Sequence, residues 1–400
     1  MRILLITEAL VLGGAETFVL RLARRLRQDG HDAEILCLNP DFEDERLVAL
    51  FDEIPIHRVP RFGLRTLKRL DRVAGWLKRD PMLQPRRARR WIERRLLGRF
   101  DIFHSHLFGA DWLMALLKRR HPAMKIVSTL HGDYALYDAR AKGSERTEIL
   151  NWPAKLAETL AAVDRWVTIS LDQRRQFVDF GVDPQRLVAI PNGYAPPAPL
   201  PALPQPDRTG LTFVMVARGM REKGWAFLVE AFLRLEGDCS LLLVGEGAFL
   251  DQLRERHAGH PRIRFAGAHT NPVALVAAAD VFVHPSVYRA ESMPTVIVEA
   301  LFAGRPVIAT RVGSVADMIA APSGERAGIL VEADEATLAG RLAAAMQAYL
   351  DDPALRGRHA ALAPAAFAKF DMGACAAAYA RLYAEVAGSS PINSAIASSH

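Results

Sequence analysis

The chain predicts an α/β protein made of two doubly wound, Rossmann-like parallel-sheet domains, and three observations predict it. Short apolar runs alternate with helical patterns along nearly the whole length, the signature of repeated βαβ units. Its 400 residues exceed what one core usually holds, and 50% of them are apolar, enough to bury two sheets. A proline-dense run, YAPPAPLPALPQPDRTG from Tyr194 to Gly210, interrupts the alternation near the midpoint. Proline at that density holds neither a helix nor a central strand, so it reads as a semi-rigid linker.

In the first half, strands are expected at RILLIT, AEILCLN, IFHSH, KIVSTLH, RWVTIS and RLVAIP. In the second half they are LTFVMVA, SLLLVG, IRFAG, VFVHPS, PVIATRVG and GILVE. Between them lie stretches such as AETFVLRLARRLRQDG, whose apolar residues recur every three to four positions before a terminating Gly30. The expected organisation is an N-terminal domain over 1–193, a linker over 194–210 and a C-terminal domain over 211–370. A last helix over 371–388 is expected to pack back towards the N-terminal domain, followed by a frayed tail over 389–400. Two such domains are expected to face each other across a cleft, with ligands at the carboxyl ends of the strands.

Composition excludes several classes. Cys37, Cys239 and Cys375 are widely separated and odd in number, which argues against a disulfide framework or a zinc site and for a reducing cytoplasm. The N-terminal MRILLITEALVLGGAE has an apolar run, but Glu8 interrupts it and no small-x-small cleavage site follows, so a buried opening strand is expected. No run approaches the roughly 20 apolar residues needed to cross a membrane.

The net charge of +6 is concentrated. From Arg61 to Arg99 there are fourteen cations and three acids, so that segment carries +11 and the rest of the chain −5. In GLRTLKRLDRVAGWLKR the leucines share one face and the cations take the others, and RRARRWIERRLL adds Trp91 and Ile92. Apolar and cationic faces with an embedded tryptophan suit an anionic membrane surface; a packed helix with a solvated charged face is the competing reading. Nucleic acid is not an expected partner, because no recognition motif accompanies the charge.

The βα loops carry the candidate chemistry. Gly13 and Gly14 end the first such loop, either a tight turn or a place where backbone approaches a ligand; it is not the G-x-G-x-x-G of dinucleotide folds. Arg218 and Lys223 flank a glycine-containing loop that opens a helix, a setting for a phosphate or for two surface charges. LVGEGAF reads as a turn that needs positive φ. His131 stands at a strand end before Gly132, as a structural histidine or a ligand contact. His104 and His106 alternate on a strand, with no acid or cysteine to complete a metal set, and no Asp-x-Asp pair occurs anywhere.

The stretch RAESMPTVIVEALFAGRPVIAT places Glu291 and Glu299 in an otherwise apolar run. Buried carboxylates are costly unless paired. Pro294 suits an early helical position, so Glu291 belongs to the loop after VFVHPS and Glu299 to the following helix, made largely buried by Thr295, Val296, Val298, Ala300 and Leu301. The free amides at that helix N-terminus and two carboxylates suit a polyhydroxylated ligand.

At these residues the chain resembles the retaining glycosyltransferases of family 4 in the GT-B superfamily. ESMPTVIVE matches that family's E-x7-E signature, and the resemblance extends in order through GGAE, TLHGDY, VAIPNG, VARGMREKGWAFLVEAF and LVGEGAFLDQLR. It implies a GT-B fold and transfer of a hexose-type sugar from a nucleoside-diphosphate sugar, a substrate and not a cofactor, with no essential metal. It implies that Arg218 and Lys223 hold the diphosphate, that Glu299 takes the ribose, and that Glu291 with the amides of Ser292, Met293, Pro294 and Thr295 cradles sugar and phosphate. His131 resembles the histidine beside the reacting sugar, Gly13 and Gly14 the loop closing on the diphosphate, and Ala268 and His269 residues flanking the base. Many members have Glu-Gly-Phe-Gly where this chain has Glu291-Ser292-Met293-Pro294; Pro294 offers no N–H, which bears on donor choice.

The expected acceptor is a glycan or lipid-linked molecule of bacterial cell-surface polysaccharide synthesis. The expected location is the cytoplasm, peripheral on the inner face of the membrane through the 61–99 segment. A nucleotide-sugar epimerase of the same fold and a nicotinamide-dependent oxidoreductase are the alternatives.

Overall fold

The computed structural model describes residues 1–11, 13–60, 83–131, 134, 152–195, 210–269, 272–288, 291 and 293–388. The greater part of the proline-dense linker, residues 61–82 of the basic segment, Ser292 and the C-terminal tail lie outside the described residues.

Two compact units emerge. One comprises Met1–Gly193 with the chain from Met372 onward, the other Tyr194–Asp371. The first holds a seven-stranded parallel sheet: β1 (Arg2–Thr7), β2 (Asp32–Cys37), β3 (Ile56–Arg58), β4 (Ile102–His106), β5 (Ile126–Leu130), β6 (Arg165–Thr168) and β7 (Leu187–Ala189). Their spatial order is 3-2-1-4-5-6-7, so the winding reverses between β1 and β4. The second unit repeats the plan in six parallel strands: β8 (Leu211–Val216), β9 (Cys239–Val244), β10 (Ile263–Gly267), β11 (Val281–His284), β12 (Val307–Thr310) and β13 (Gly328–Val331). Their order is 10-9-8-11-12-13, with the reversal between β8 and β11.

The strands are near-continuous apolar runs because helices cover both faces of a parallel sheet. Every residue of β4, β5 and β8 is buried. Each unit has its own core, around Phe103, Trp166 and Phe177 in the first and around Phe213, Trp225 and Tyr349 in the second.

Six helices matter to the site: α1 (Gly14–Gln28), α2 (Leu83–Arg95), α3 (Phe108–Lys118), α4 (Trp225–Leu233), α5 (Thr295–Phe302) and α6 (Met372–Ala387). The C-terminal α6 packs on α1 and β4 within the first unit. Gly193 makes its approach possible, since a Cβ there would lie 2.7 Å from the Cys375 side chain and 2.9 Å from the Met372 backbone. All three cysteines are free and buried. Burial pushes the Cys37 thiol up to about 12, which leaves it a small inert hydrophobe.

In the basic segment, Ile92 is fully buried and Trp91 packs against the core of the first unit. α2 turns outward Arg86, Arg90, Arg94 and Arg95, and Trp91 stays partly exposed. No helix among the described residues is long and apolar enough to cross a membrane.

Candidate active site

The carboxyl ends of β8 and β11 lie beside the reversal of strand order, where a doubly wound sheet opens a crevice. After β8 the chain turns through Arg218, Gly219 and Met220 into a short 3-10 turn, Arg221–Lys223, and then α4. Gly219 N–H donates to the Glu246 carbonyl at 2.7 Å, and the Trp225 indole N–H donates to the Arg218 carbonyl at 2.9 Å, so the loop is tied at both ends. Gly224 has φ +84°, and a Cβ there would stand 2.0 Å from the Pro285 carbonyl oxygen. Only glycine lets the β8 loop lie this close to the β11 loop. The neighbouring turn at Gly247 also needs positive φ, at 136°.

This close approach delivers Lys223 to Glu291. The ammonium donates to Glu291 Oε2 at 2.6 Å, with both side chains about nine-tenths buried. Ser286 Oγ donates to the same oxygen at 2.8 Å, and His284 Nε2 lies 3.6 Å from it. Thr310 Oγ1 holds the strand end by donating to the carbonyls of Ser286 at 2.5 Å and His284 at 3.2 Å. The Tyr288 ring lies 5.1 Å from the Lys223 ammonium. Burial alone would raise the Glu291 carboxyl; the neighbouring His284 and Lys223 outweigh it and hold the pKa at about 2. Glu291 is therefore a carboxylate at neutral pH, and its cost of burial is offset by a cation and a hydroxyl.

Pro294 caps α5, and the Ile297 N–H donates to its carbonyl at 3.0 Å. Met293 and Pro294 are buried. The buried face of α5 consists of Ile297, Val298, Ala300 and Leu301, whereas Thr295 and Val296 are only half-buried, a shift of the inward face from the sequence expectation. Glu299 is half-buried on the same helix, and Arg218 is exposed. Ala268 and His269 are exposed just after β10. Lys223 and Glu291 thus meet in a direct bond.

The first unit contributes a separate constellation at the carboxyl ends of β1, β4 and β5. Gly13 precedes α1, and the Glu16 carboxylate folds back over it so closely that a Cβ would lie 2.4 Å from Oε2. Burial raises the Glu16 pKa, with its own backbone N–H opposing. Gly14 is the first residue of α1 and is exposed. His131 Nε2 lies 2.9 Å from His106 Nδ1, and the Asn192 amide donates to His131 Nδ1 at 3.4 Å. His131 keeps partial exposure, unlike the sealed His104 and His106, yet burial still draws its pKa down to about 3. His104 and His106 are hydrogen-bonding members of the sheet: His104 meets Thr129 Oγ1 at 2.8 Å and Tyr383 OH at 2.6 Å. Among the described residues no group of side chains could hold a metal ion.

Sequence reasoning missed several partners. His284, Ser286 and Thr310 position Glu291, and the signal available was polar residues closing otherwise apolar strands. Asp111, fully buried on α3, accepts from Ser105 Oγ at 2.5 Å, Ser128 Oγ at 2.7 Å and Tyr134 OH, three residues after His131. Burial raises its pKa to about 6 despite the three hydroxyls.

Comparison with known proteins finds matches along both halves of the chain. The model of Glycosyltransferase Family 4 matches residues 12–196, and that of Glycosyl transferases group 1 matches residues 210–352. The phosphatidyl-myo-inositol mannosyltransferase of Mycolicibacterium smegmatis is 30% identical, over 94% of this chain and 91% of the relative. The glycogen synthase of Mycobacterium tuberculosis is 27% identical, over 96% and 94%. The solved structure of Anabaena Alr3699/HepE in complex with UDP-glucose shares the fold, with a TM-score of 0.71, 19% identity, and 96% of this chain and 100% of that chain covered. Two Rossmann-like parallel-sheet units, matched along both halves by these families, place this chain among the family 4 glycosyltransferases of the GT-B superfamily.

Proposed function

We propose that this chain is a retaining, metal-independent hexosyltransferase that moves a sugar from a nucleoside diphosphate to a glycan or lipid-linked acceptor in bacterial cell-surface polysaccharide synthesis. The observation that carries the reading is the buried Lys223–Glu291 pair at the β8 and β11 ends, one loop from Arg218 and beside the N-terminus of α5. In the reaction the bond from the anomeric carbon to the diphosphate oxygen breaks, leaving oxocarbenium character on the sugar and negative charge on the nucleotide. Arg218, Lys223 and the amides opening α5 stabilise the leaving diphosphate. Glu291 accepts hydrogen bonds from sugar hydroxyls, and Glu299 from the ribose. The acceptor oxygen bonds to the anomeric carbon on the face the nucleotide leaves while a donor phosphate oxygen takes its proton, so neither carboxylate is a nucleophile and configuration is kept. Gly13 and Gly14 close on the diphosphate, and Ala268 and His269 flank the base.

Two relatives support a sugar donor without naming it. One is a mannosyltransferase acting on phosphatidyl-myo-inositol, and the fold neighbour from Anabaena binds UDP-glucose. A panel of nucleoside-diphosphate sugars, scored by thermal stabilisation and slow hydrolysis in the presence of EDTA, tests the proposal. Stabilisation by one donor, turnover with EDTA, and loss of both in Arg218→Ala and Glu299→Ala support it; an unresponsive panel or active variants refute it.

The outward arginines of α2 favour a location at an anionic membrane surface on the cytoplasmic side. Salt-sensitive co-sedimentation with vesicles containing anionic lipid is the expected result, and equal recovery with neutral vesicles counts against it.

A further inference from the structure

Both ring nitrogens of His131 are occupied from inside the first unit. The Asn192 amide can only donate, so His131 Nδ1 accepts at 3.4 Å. A neutral ring then carries its one proton on Nε2, which donates to His106 Nδ1 at 2.9 Å. The two rings are also stacked, with centroids 5.1 Å apart and planes 24° apart, and Phe18 from α1 lies 5.3 Å from the His131 ring. His106 itself is fully buried, and its Nε2 has no partner among the described residues. His106 sits in this position at a cost, because its buried Nε2 makes no hydrogen bond among the described residues.

We infer that His106 is a positioning residue that holds His131 in the Nε2–H tautomer and in one ring plane. The inference rests on the reading of His131 as the residue beside the reacting sugar. A charge argument connects the two. The anomeric carbon becomes positive as the nucleotide leaves, so an imidazolium beside it would raise the barrier, whereas a neutral ring does not. His106 has no negative charge with which to draw a second proton onto His131, and it accepts the first. Among the described residues, the titratable groups around this cluster are His104 and His106 on β4 and Cys375, Tyr379 and Tyr383 on α6. Among the described residues, burial accounts for the depressed basicity of His131. His106 is thus the part that an aspartate or glutamate could not replace.

Long-range proton–nitrogen NMR of the full chain labelled with 15N-histidine reads the tautomer directly, with His131 assigned by the signals lost in His131→Gln. In the wild type the expected result is protonated Nε2 and bare Nδ1, unchanged between pH 5.5 and 8. In His106→Phe the His131 signals shift to a mixture of the two neutral tautomers. In His106→Asn, whose amide reaches the place of Nδ1, the single tautomer returns. A wild-type His131 that titrates normally, or carries its proton on Nδ1, overturns the inference whether or not the variants fold. Unchanged His131 signals in a folded His106→Phe also overturn it. Failure of the underlying reading looks different: His131→Ala would then retain full turnover of the donor found in the panel, while the tautomer result stands.

Discussion

Lys223 Nζ sits 2.6 Å from Glu291 Oε2, sixty-eight positions away in sequence, in an ion pair about nine-tenths buried. One partner comes from the β8 loop and the other from the β11 loop, so the bond fastens the two strands where the winding of the second sheet reverses. In the proposed reaction the same lysine faces the diphosphate, so donor binding brings a second anion to a cation already neutralised.

Removing the cation should expose the cost of burying its partner. Lys223→Met leaves Glu291 with only His284 and Ser286, and loss of about 3 kcal/mol in urea unfolding at pH 7 is expected. The acid limb should move too. The Glu291 pKa is held at about 2, below its ordinary 4.5, so its contribution is complete above pH 4.5 and fades as pH falls towards 2. In Lys223→Met that fading should be smaller and finish at higher pH, and in Glu291→Gln it should be absent from unfolding curves taken from pH 3 to 7.

The buried carboxyl of Asp111 should show the opposite sign. Its pKa rises from 3.8 to about 6 on folding, so the stability it adds is full below 3.8 and is lost as pH rises through 6. That displacement corresponds to about 3 kcal/mol. Subtracting the Asp111→Asn stability curve from the wild-type curve between pH 3.5 and 7 should give a descending step of that size. A flat difference would mean that Asp111 is ionised in the fold across the range.

These two carboxylates also mark what the sequence made legible. The parallel sheets followed from apolar runs alternating with helical patterns, and the one strand left unread was Ile56–Arg58, three residues at the sheet edge between Pro55 and Pro60. Glu291 stood out because two acids interrupted an apolar stretch, and Lys223 because a cation ended a strand loop. Their bond was not legible, because it depends on how closely two loops approach across the sheet, which local pattern does not encode. The same holds for Asp111 and for His106: Ser105, Ser128 and His131 reach them from β4, from β5 and from the end of β5, set by strand register and long-range packing.

Gly224 offers a test of that close approach. Gly224→Ala combines positive φ with a Cβ 2.0 Å from the Pro285 oxygen, whereas Gly304 has φ +70° and open space around it. Gly304→Ala should cost only the left-handed backbone penalty, about 1–2 kcal/mol. Gly224→Ala should lower the melting temperature further and separate Lys223 from Glu291, so that donor-induced stabilisation disappears.

Tyr383→Phe should leave His104 Nδ1 buried without its 2.6 Å partner and cost about 1–3 kcal/mol in denaturant unfolding. A neutral outcome would mean that α6 is held to β4 by apolar packing alone.

The central claim is that the second unit binds a nucleoside diphosphate through Arg218 and Lys223, and calorimetric titration tests it most directly. UDP, GDP and ADP would be titrated in turn into the wild type, Arg218→Ala and Lys223→Ala, each shown to be folded. The account predicts saturable binding of at least one of the three by the wild type, weakened by tenfold or more in both variants. No binding of any nucleotide, or equal affinity in wild type and variants, would contradict it.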